Sequence, residues 1–356
     1  MRIVSARLRP IGGPVPAGIR NRALGWQARH GVLLALVDET GTVGQGEASP
    51  LPGYSPDLLE ECVTALEAVV ARVPIAIDLA GDGLARIAAV TAELPPELPA
   101  ARMAVETALL DLAAKRLGTS VAALLAGRRL DREVPVSMVL LGADVAALEG
   151  QVRAGLAVGV HTFKLKVGGP DFAAELALIG ALRAAVPGGW ALRLDANGAW
   201  PLDVAGRHLE AMAGLAVEFV EQPVAAELLP ELTGSPVALA ADETMRLPGA
   251  LARLAATRAC AAVVLKPMVL GGLGCCLSLA REARRAGLGV IVTHLFDGPV
   301  ALAAACELAL AVQTPLACGL APHPALAAFG GQRPAALRPD RIVPHDLPGL
   351  GLAGAQ

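Results

Sequence analysis

The second half of the chain repeats one unit: a short apolar run, a charged or polar residue at its end, and an Ala/Leu-rich stretch. The eight runs are Val134–Leu140, Thr162–Val167, Ala191–Asp195, Val217–Glu221, Val237–Asp242, Ala262–Lys266, Gly289–His294 and, least regularly, Thr314–Leu320. Such runs are typical of parallel strands that helices cover on both faces. From Lys166 to His294 the polar ends recur every 21 to 29 residues, which leaves room for one helix and two loops. The repeat predicts a closed (β/α) barrel.

The first part of the chain lacks this repeat and predicts a separate α+β module. Its expected elements are strands near Met1–Pro10 and Gly31–Asp38, a turn-rich segment over Gly44–Ser55, and helices near Pro56–Ala71 and Leu98–Leu117. We therefore divide the chain into an N-terminal domain (1–125), a barrel domain (126–320) and a C-terminal segment (321–356). The last segment is rich in Pro and Gly, and we expect it to wrap over the surface toward the first domain.

Composition predicts a large buried core in a soluble, cytoplasmic protein. Hydrophobic residues make up 54% of the chain and the mean hydropathy is +0.55. The longest stretch without a charged residue, Leu308–Gln332, contains three prolines, so no membrane-spanning helix is expected. The N-terminus has no apolar run of the kind found in signal peptides. Six cysteines without a C-x-x-C pair are expected to be buried, reduced side chains.

The charge and aromatic content argue against nucleic acid as a partner. The formal net charge is −3, and aromatic residues account for 3% of the chain. Neither a basic surface that follows phosphates nor a stacking platform for bases is therefore expected. The sequence instead indicates a small-molecule partner, and it leaves open whether the chain forms a homo-oligomer.

Three carboxylates, Asp195, Glu221 and Asp242, each end a different predicted strand. In a (β/α) barrel the carboxyl ends of the strands meet at one mouth, so these groups are expected to lie together. Unpaired buried carboxylates are costly, and an all-oxygen set suits a hard divalent cation such as Mg²⁺, with Mn²⁺ as a substitute. The alternative is that the carboxylates form ion pairs with lysines of the barrel.

Three lysines are expected at the same mouth. Lys164 and Lys166 lie two residues apart on one strand and so point to the same side, where each should lower the pKa of the other. Lys266 ends the sixth strand, across the barrel. A lysine of lowered pKa that faces a metal-bound carboxylate predicts removal of the proton α to that carboxylate, with ammonium groups stabilising the enolate. Racemisation, cycloisomerisation and β-elimination all begin this way.

His294 ends the seventh strand, and Asp297 follows it. The two side chains are predicted to form either a base dyad or, with greater weight, a structural hydrogen-bonding arrangement.

Five motifs resemble the enolase superfamily, and most of all its muconate-lactonizing branch. In chain order they are Lys164–Lys166 (KLK), Leu194–Trp200 (LDANGAW), Glu221–Pro223 (EQP), Ala241–Thr244 (ADET) and Leu265–Pro267 (LKP). The resemblance covers nearly the whole chain. It implies a modified (β/α)7β TIM-type barrel behind an N-terminal α+β capping domain.

The same resemblance implies roles for individual residues. Mg²⁺ would be bound by Asp195, Glu221 and Asp242. Lys166 would be the general base, Lys164 its cationic neighbour, and Lys266 a second base or a cation that faces the intermediate. The positions that it implies near the substrate or the metal-bound carboxylate are Asn197, Arg193, Tyr54, His294 and Gly319. Substrate discrimination is expected mainly in the capping segments Gly12–Arg29 and Gly44–Ser55.

Within the branch, the loop Gly46–Ser55 is similar to that of o-succinylbenzoate synthases, which dehydrate a cyclohexadiene carboxylate in menaquinone biosynthesis. A lyase of this kind is the leading expectation. N-acylamino-acid racemase, dipeptide epimerase and muconate-type cycloisomerase are the alternatives, because the same lysines and metal serve all of these reactions. Cys318–His323 lacks the Asp-x-Asp pair common in dipeptide epimerases, which weakens that alternative. A metal-binding barrel without activity is a remote alternative.

Overall fold

The computed structural model describes residues 1–20, 25–330 and 333–352. Residues 21–24 of the predicted capping segment Gly12–Arg29 lie outside the described residues. The same holds for residues 331–332 and 353–356 of the predicted C-terminal segment.

The N-terminal part is an antiparallel sheet packed against helices. The sheet has the order β3-β2-β1-β4, with the strands β1 (Arg2–Arg20), β2 (Gly25–Asp38), β3 (Val43–Ala48) and β4 (Ile75–Ala76). The helices are α1 (Leu59–Ala71), α2 (Gly83–Ala92), α3 (Pro99–Arg116) and α4 (Val121–Ala126). The α+β class is confirmed, as are the two predicted strands and the helices near Pro56–Ala71 and Leu98–Leu117.

The predicted turn-rich segment Gly44–Ser55 is wrong in its first part, because β3 occupies it. Gly44 and Gly46 serve close packing and not a turn. A Cβ atom at Gly46 would lie 1.8 Å from the carbonyl oxygen of Ala104 in α3. A Cβ atom at Gly44 would lie 2.2 Å from the carbonyl oxygen of Ala108. The strand therefore lies directly on the helix, which is buried along most of its length.

The second part is the predicted barrel, and its seven strands β6 to β12 form one parallel sheet in chain order. After the short strand β5 (Val134–Pro135), they are β6 (Ser137–Leu140), β7 (Thr162–Lys166), β8 (Ala191–Asp195), β9 (Val217–Glu221), β10 (Leu239–Ala241), β11 (Ala262–Leu265) and β12 (Gly289–Val292). The helices are α5 (Val145–Ala157), α6 (Phe172–Ala185), α7 (Leu202–Met212), α8 (Ala250–Thr257), α9 (Pro267–Leu270), α10 (Leu273–Arg285) and α11 (Pro299–Val312). Short 3₁₀ helices lie at Leu229–Glu231, Glu243–Arg246 and Pro324–Phe329.

The eighth run, Thr314–Leu320, contains no strand in the described structure, yet it joins both edges of the sheet. Cys318 forms a parallel bridge with Val136, next to the first strand, and Gly319 forms one with Thr293, after the seventh. The Gly319 amide donates to the Val292 carbonyl over 2.9 Å. These bridges close the barrel, as the modified (β/α)7β fold requires.

Two further expectations need correction. The C-terminal segment does more than wrap over the surface, because β13 (Arg341–Ile342) pairs with β5, and Ile342 and Leu350 are buried. Cys275 is exposed on α10, whereas the other five cysteines are buried as predicted and all six are free thiols.

No helix among the described residues is long and apolar enough to cross a membrane. The exact division at residues 125 and 320 stays a prediction.

Two buried glutamates of the N-terminal domain dock it onto the barrel. Glu47 at the end of β3 accepts backbone N–H groups from the first turn of α11, at Gly298 (2.6 Å), Val300 (3.1 Å) and Ala301 (3.0 Å). Glu106 on α3 accepts those of Leu273 (2.5 Å) and Gly274 in α10. The first N–H groups of a helix have no partner within the helix and favour negative charge, so each carboxylate caps a barrel helix.

The Glu106 contact predicts a loss of stability that an exposed glutamate does not share. Glu106→Ala leaves two buried N–H groups of α10 without a partner and should lower the free energy of unfolding by about 3 kcal/mol. Glu106→Gln, which keeps one carbonyl oxygen, should lose less. Thermal unfolding monitored by circular dichroism measures the effect, with Glu67→Ala on the exposed face of α1 as the matched control. Equal midpoints for the two alanine variants would contradict this account of docking.

Candidate active site

The carboxyl ends of the barrel strands open into a cavity of about 460 Å³ beneath the N-terminal domain. Strand register sets the floor of this cavity, because Lys166 lies beside Asp195 and Asp195 lies beside Glu221 on adjacent parallel strands. The predicted site residues that line it are Lys164, Lys166, Lys266, Asp195, Asn197, Tyr54, His294 and Gly319. The structure thus gathers residues from distant parts of the chain at one mouth, where (β/α) barrels carry their active sites.

The three predicted metal ligands are buried and in contact with lysines. Asp195, Glu221 and Asp242 are only 2 to 3% exposed. The Lys164 ammonium lies 3.0 Å from Asp195 and 3.1 Å from Glu221. Lys266 lies 2.5 Å from Asp242. The ion pairs that the sequence left as an alternative are therefore present for Lys164 and Lys266.

The donor set fits a hard divalent cation, although it is not arranged around one point. Within the described residues, no three His, Cys, Asp or Glu side chains are already grouped as ligands. Lys164 and Lys266 contact the carboxylates instead. Burial, together with the charges of Asp195 and Asp242, raises the pKa of Glu221 to about 7. Burial and Asp242 raise the pKa of Glu243 to about 8. A bound dication would stabilise the ionised form of these buried carboxylates.

The pKa values of the two neighbouring lysines shift in opposite directions, so the expectation that each lowers the pKa of the other holds for Lys166 and is wrong for Lys164. Burial lowers the pKa of Lys166 against the opposing charge of Asp195, and the ammonium groups of Lys164 and Lys266 lower it further. For Lys164, burial acts in the same direction, but the carboxylates of Asp195 and Glu221 outweigh it and raise the pKa. Lys166 therefore loses its proton more readily than its neighbour does.

Lys166 is also the one lysine at the mouth without an ion pair among the described residues. Its ammonium group donates to Asn197 Oδ1 over 3.1 Å. The Asn197 amide in turn donates to Glu243 Oε1 over 3.2 Å, and its backbone N–H contacts Asp195. Asn197 thus links the free lysine to the acidic residues, and its left-handed φ of 45° aims its side chain from the loop after β8.

Tyr54 is the contribution of the N-terminal domain to the site. Its hydroxyl lies 3.3 Å from Asp242 Oδ1 and accepts a hydrogen bond of 2.6 Å from the Lys266 ammonium. The Lys266 Nζ also lies 4.5 Å from the centre of the phenol ring. Burial opposes the charge of Lys266, but Asp242, Tyr54 and two nearby glutamates together outweigh it and raise the pKa of Lys266 well above its usual value. Lys266 is held as a cation.

Two sequence-predicted roles are not seen in this arrangement. Arg193 does not line the cavity, because its guanidinium donates to Glu218 over 2.7 Å and to the Ala317 carbonyl over 2.5 Å. His294 and Asp297 form no dyad. The His294 Nδ1 atom accepts the backbone N–H of Phe296, and Asp297 accepts that of Leu295.

The structure adds cavity residues that the sequence analysis did not single out. Trp26 and Phe296 contribute aromatic surface, with ring centroids 6.4 Å apart, and His323 reaches the cavity from the segment after the last barrel run. Glu243 was visible in the sequence as the neighbour of Asp242. His323 had no such signal, because only the closed barrel brings its segment to the mouth.

Comparisons with known protein families match both parts of the chain. Residues 21–126 match the "Mandelate racemase / muconate lactonizing enzyme, N-terminal domain", and residues 147–354 match "Enolase C-terminal domain-like". The chain belongs to the enolase superfamily, in its muconate-lactonizing branch.

Individual relatives in this branch differ in their reactions. Muconate cycloisomerase 1-1 of Acinetobacter lwoffii is 31% identical over 82% of this chain and 78% of its own length. The o-succinylbenzoate synthase of Desulfotalea psychrophila is 29% identical over 80% and 84%. The solved dipeptide epimerase of Methylococcus capsulatus, complexed with Mg and L-Arg-D-Lys, superposes with a TM-score of 0.86 at 28% identity over 99% of both chains.

The unequal lysines predict an order of titration. The chain has four lysines, so selective ¹³C-lysine labelling gives four side-chain signals. In chelating buffer, the signal that disappears in Lys166→Met belongs to Lys166, and it should titrate below pH 10.5. The Lys164 side chain should remain protonated above this pH, because only Lys164 contacts two carboxylates. Titration of Lys164 before Lys166 would contradict the assignment.

Proposed function

We propose that the protein is a Mg²⁺-dependent carbon–oxygen lyase, and specifically an o-succinylbenzoate synthase. In this proposal it removes the proton α to a carboxylate and expels water from 2-succinyl-6-hydroxy-2,4-cyclohexadiene-1-carboxylate. The observation that carries the proposal is the contrast between Lys166, which is free of ion pairs and has a lowered pKa, and Lys266, which is fixed as a cation at the same cavity.

Asp195, Glu221 and Asp242 would hold the cation. Bound Mg²⁺ supplies Lewis-acid stabilisation of negative charge on the substrate carboxylate. The residues around it then have separate tasks. Lys164 offsets part of the charge of Asp195 and Glu221, and Asn197 orients the Lys166 amine through its hydrogen bond of 3.1 Å.

Lys166 Nζ is the general base of the proposed reaction. It accepts the α-proton, and the electron pair of the C–H bond moves onto the carboxylate to give an enolate. That pair then returns to form the ring double bond as the adjacent C–O bond breaks and hydroxide leaves. Lys166, now protonated, is placed to give its proton to the leaving group, so that one water molecule is released. Aromatisation of the ring drives the elimination.

Lys266 is the cation that faces the intermediate. Its contacts with Asp242 and the Tyr54 hydroxyl hold its proton, so its charge is available to stabilise the enolate while its amine is not available as a base. This elimination needs only one base, so it can use Lys166 as the base and Lys266 as a fixed cation. Racemisation and epimerisation of an α-carbon require a base on each face.

Racemase or epimerase activity on N-acylamino acids or dipeptides is the second candidate, since Lys166 and Lys266 both line the cavity and a dipeptide epimerase is among the relatives. Muconate-type cycloisomerisation uses the same groups. We assign the choice among these substrates to the N-terminal domain, residues 1–125, which closes the barrel of residues 126–320 through Tyr54, Trp26 and Leu51. We place the reaction in the cytoplasm.

The proposed metal ligands predict the effect of neutral replacements. Asp195→Asn, Glu221→Gln and Asp242→Asn each remove one anionic oxygen donor, so each should weaken Mg²⁺ binding by at least about 10-fold in isothermal titration calorimetry. Glu227→Gln changes an exposed carboxylate six residues after Glu221 and serves as the control. Unchanged Mg²⁺ affinity in all three variants would place the metal elsewhere.

Turnover of the cyclohexadiene carboxylate, followed by ultraviolet absorbance with Mg²⁺ present, tests the reaction itself. The intact protein should form o-succinylbenzoate, and chelation with EDTA should abolish the activity. Lys166→Ala should lower kcat by about 10³-fold, because the base is lost. Lys166→Arg should be similarly impaired, because it restores the charge without a group that can accept the proton.

The outcomes separate the candidates. Efficient turnover that both lysine variants lose supports the lyase with its single base. No turnover by the intact, Mg²⁺-loaded protein would overturn the lyase proposal. Deuterium incorporation into N-acylamino acids or dipeptides in heavy water would then favour the second candidate.

A further inference from the structure

Two histidines stack against each other in the cavity wall, and the reaction proposed above uses neither. His294 follows β12, and His323 follows the eighth run of the barrel. Their ring centroids are 4.2 Å apart, with 34° between the planes, and Phe296 packs against both at 5.7 Å. The closure of the barrel thus builds one aromatic surface from residues 29 positions apart.

A backbone hydrogen bond determines which nitrogen of the His294 ring carries the proton. Phe296 N–H donates to His294 Nδ1 over 3.0 Å, so Nδ1 is an acceptor and carries no proton. Burial, with the nearby His323 and the ammonium groups of Lys164 and Lys266, lowers the pKa of His294 well below its usual value. The ring is therefore neutral, and its single proton lies on Nε2. The ring also contacts the Ala321 backbone, which raises its pKa, but no well-aligned hydrogen bond to a described residue occupies Nε2.

His323 is a buried side chain with unsatisfied hydrogen-bonding groups among the described residues. It is only 8% exposed, and neither of its ring nitrogens has a well-aligned partner among the described residues. Burial outweighs a contact with the Asp297 backbone and lowers the pKa of His323 to about 3, so this ring is neutral as well. A buried polar group without a partner costs stability, and a ligand that supplies the partner recovers that cost on binding.

The other residues of the cavity wall indicate that a substrate oxygen atom faces these histidines. Trp26, Leu51 and Met138 are apolar, and Asp195 is the one carboxylate among the described lining residues. Asp195 is already in contact with Lys164. The cavity therefore offers neutral N–H donors and ammonium groups, but no free carboxylate for a substrate ammonium group.

We propose that His294 and His323 form a recognition site for a second oxygen function, a ketone or carboxylate, at the end of the substrate away from the reacting carboxylate. His294 Nε2–H is the donor, and His323 packs it in place and supplies a second ring nitrogen. The inference rests on the proposed function for the position of the reacting carboxylate. It names the substrate class: an acid with two separated oxygen functions and no free amine.

The ring state can be tested without activity. The chain has six histidines, so ¹⁵N-imidazole labelling gives six spin systems, and loss of one in His294→Gln assigns it. Long-range ¹H–¹⁵N spectra at neutral pH should show His294 as the neutral Nε2–H tautomer. An imidazolium or an Nδ1–H tautomer at His294 would overturn the proposal.

Binding to the Mg²⁺-loaded protein tests recognition with two probes. o-Succinylbenzoate has a ketone and a second carboxylate in addition to its ring carboxylate, and benzoate has neither. Calorimetry should show at least about 10-fold tighter binding of o-succinylbenzoate. His294→Leu should abolish this preference, His323→Leu should reduce it, and His294→Gln, which keeps an N–H donor, should retain most of it. His30→Leu, on the exposed face of β2, is the matched control.

Failure of this inference is distinguishable from failure of the proposed function. A preference that survives in His294→Leu, or intact protein that prefers neither probe, overturns the histidine site even if the lyase reaction is found. Tighter binding of the free dipeptide L-Ala-L-Glu than of o-succinylbenzoate also overturns it. Absence of lyase turnover with the preference intact overturns the proposed reaction and leaves the histidine site standing.

Discussion

Buried carboxylates at helix N-termini hold the two parts of the molecule in one arrangement. Glu47 and Glu106 come from the N-terminal domain and accept the first N–H groups of α11 and α10. An unmade bond at either place would leave helix donors buried without partners, so sliding of the domain over the barrel is costly. Tyr54 lies seven residues after Glu47, and this docking places its hydroxyl beside Lys266. The geometry of the cavity therefore depends on contacts that lie outside it.

Much of the barrel follows from sequence, because buried parallel strands must be apolar along their length and chemistry can enter only at their ends. This constraint located β8 and β9 to the residue and brought Lys166 and Asp195 together in register. Charge states did not follow in the same way. The sequence places Lys164 and Lys166 equally, but two carboxylates lie within 3.1 Å of Lys164 alone.

Other features depended on distant contacts that local patterns do not encode. Gly44 and Gly46 look like turn residues, yet they belong to a strand because α3 lies where their side chains would be. Arg193 ends up bonded to the carbonyl of Ala317, a residue that reaches it only through closure of the barrel. His323 joins the cavity for the same reason. Each case required knowledge of which distant segments pack together.

The charges at the cavity also link its two ends. Three of the four lysines in the chain meet there, in a protein whose formal net charge is −3. Their positive charge attracts an anionic substrate, and the charges of Lys164 and Lys266 add to burial in lowering the pKa of Lys166, which the proposed base requires. The ammonium groups of Lys164 and Lys266 also disfavour a charged His294. Replacement of either lysine would therefore shift the pKa of both Lys166 and His294, although burial is the largest cause of each shift.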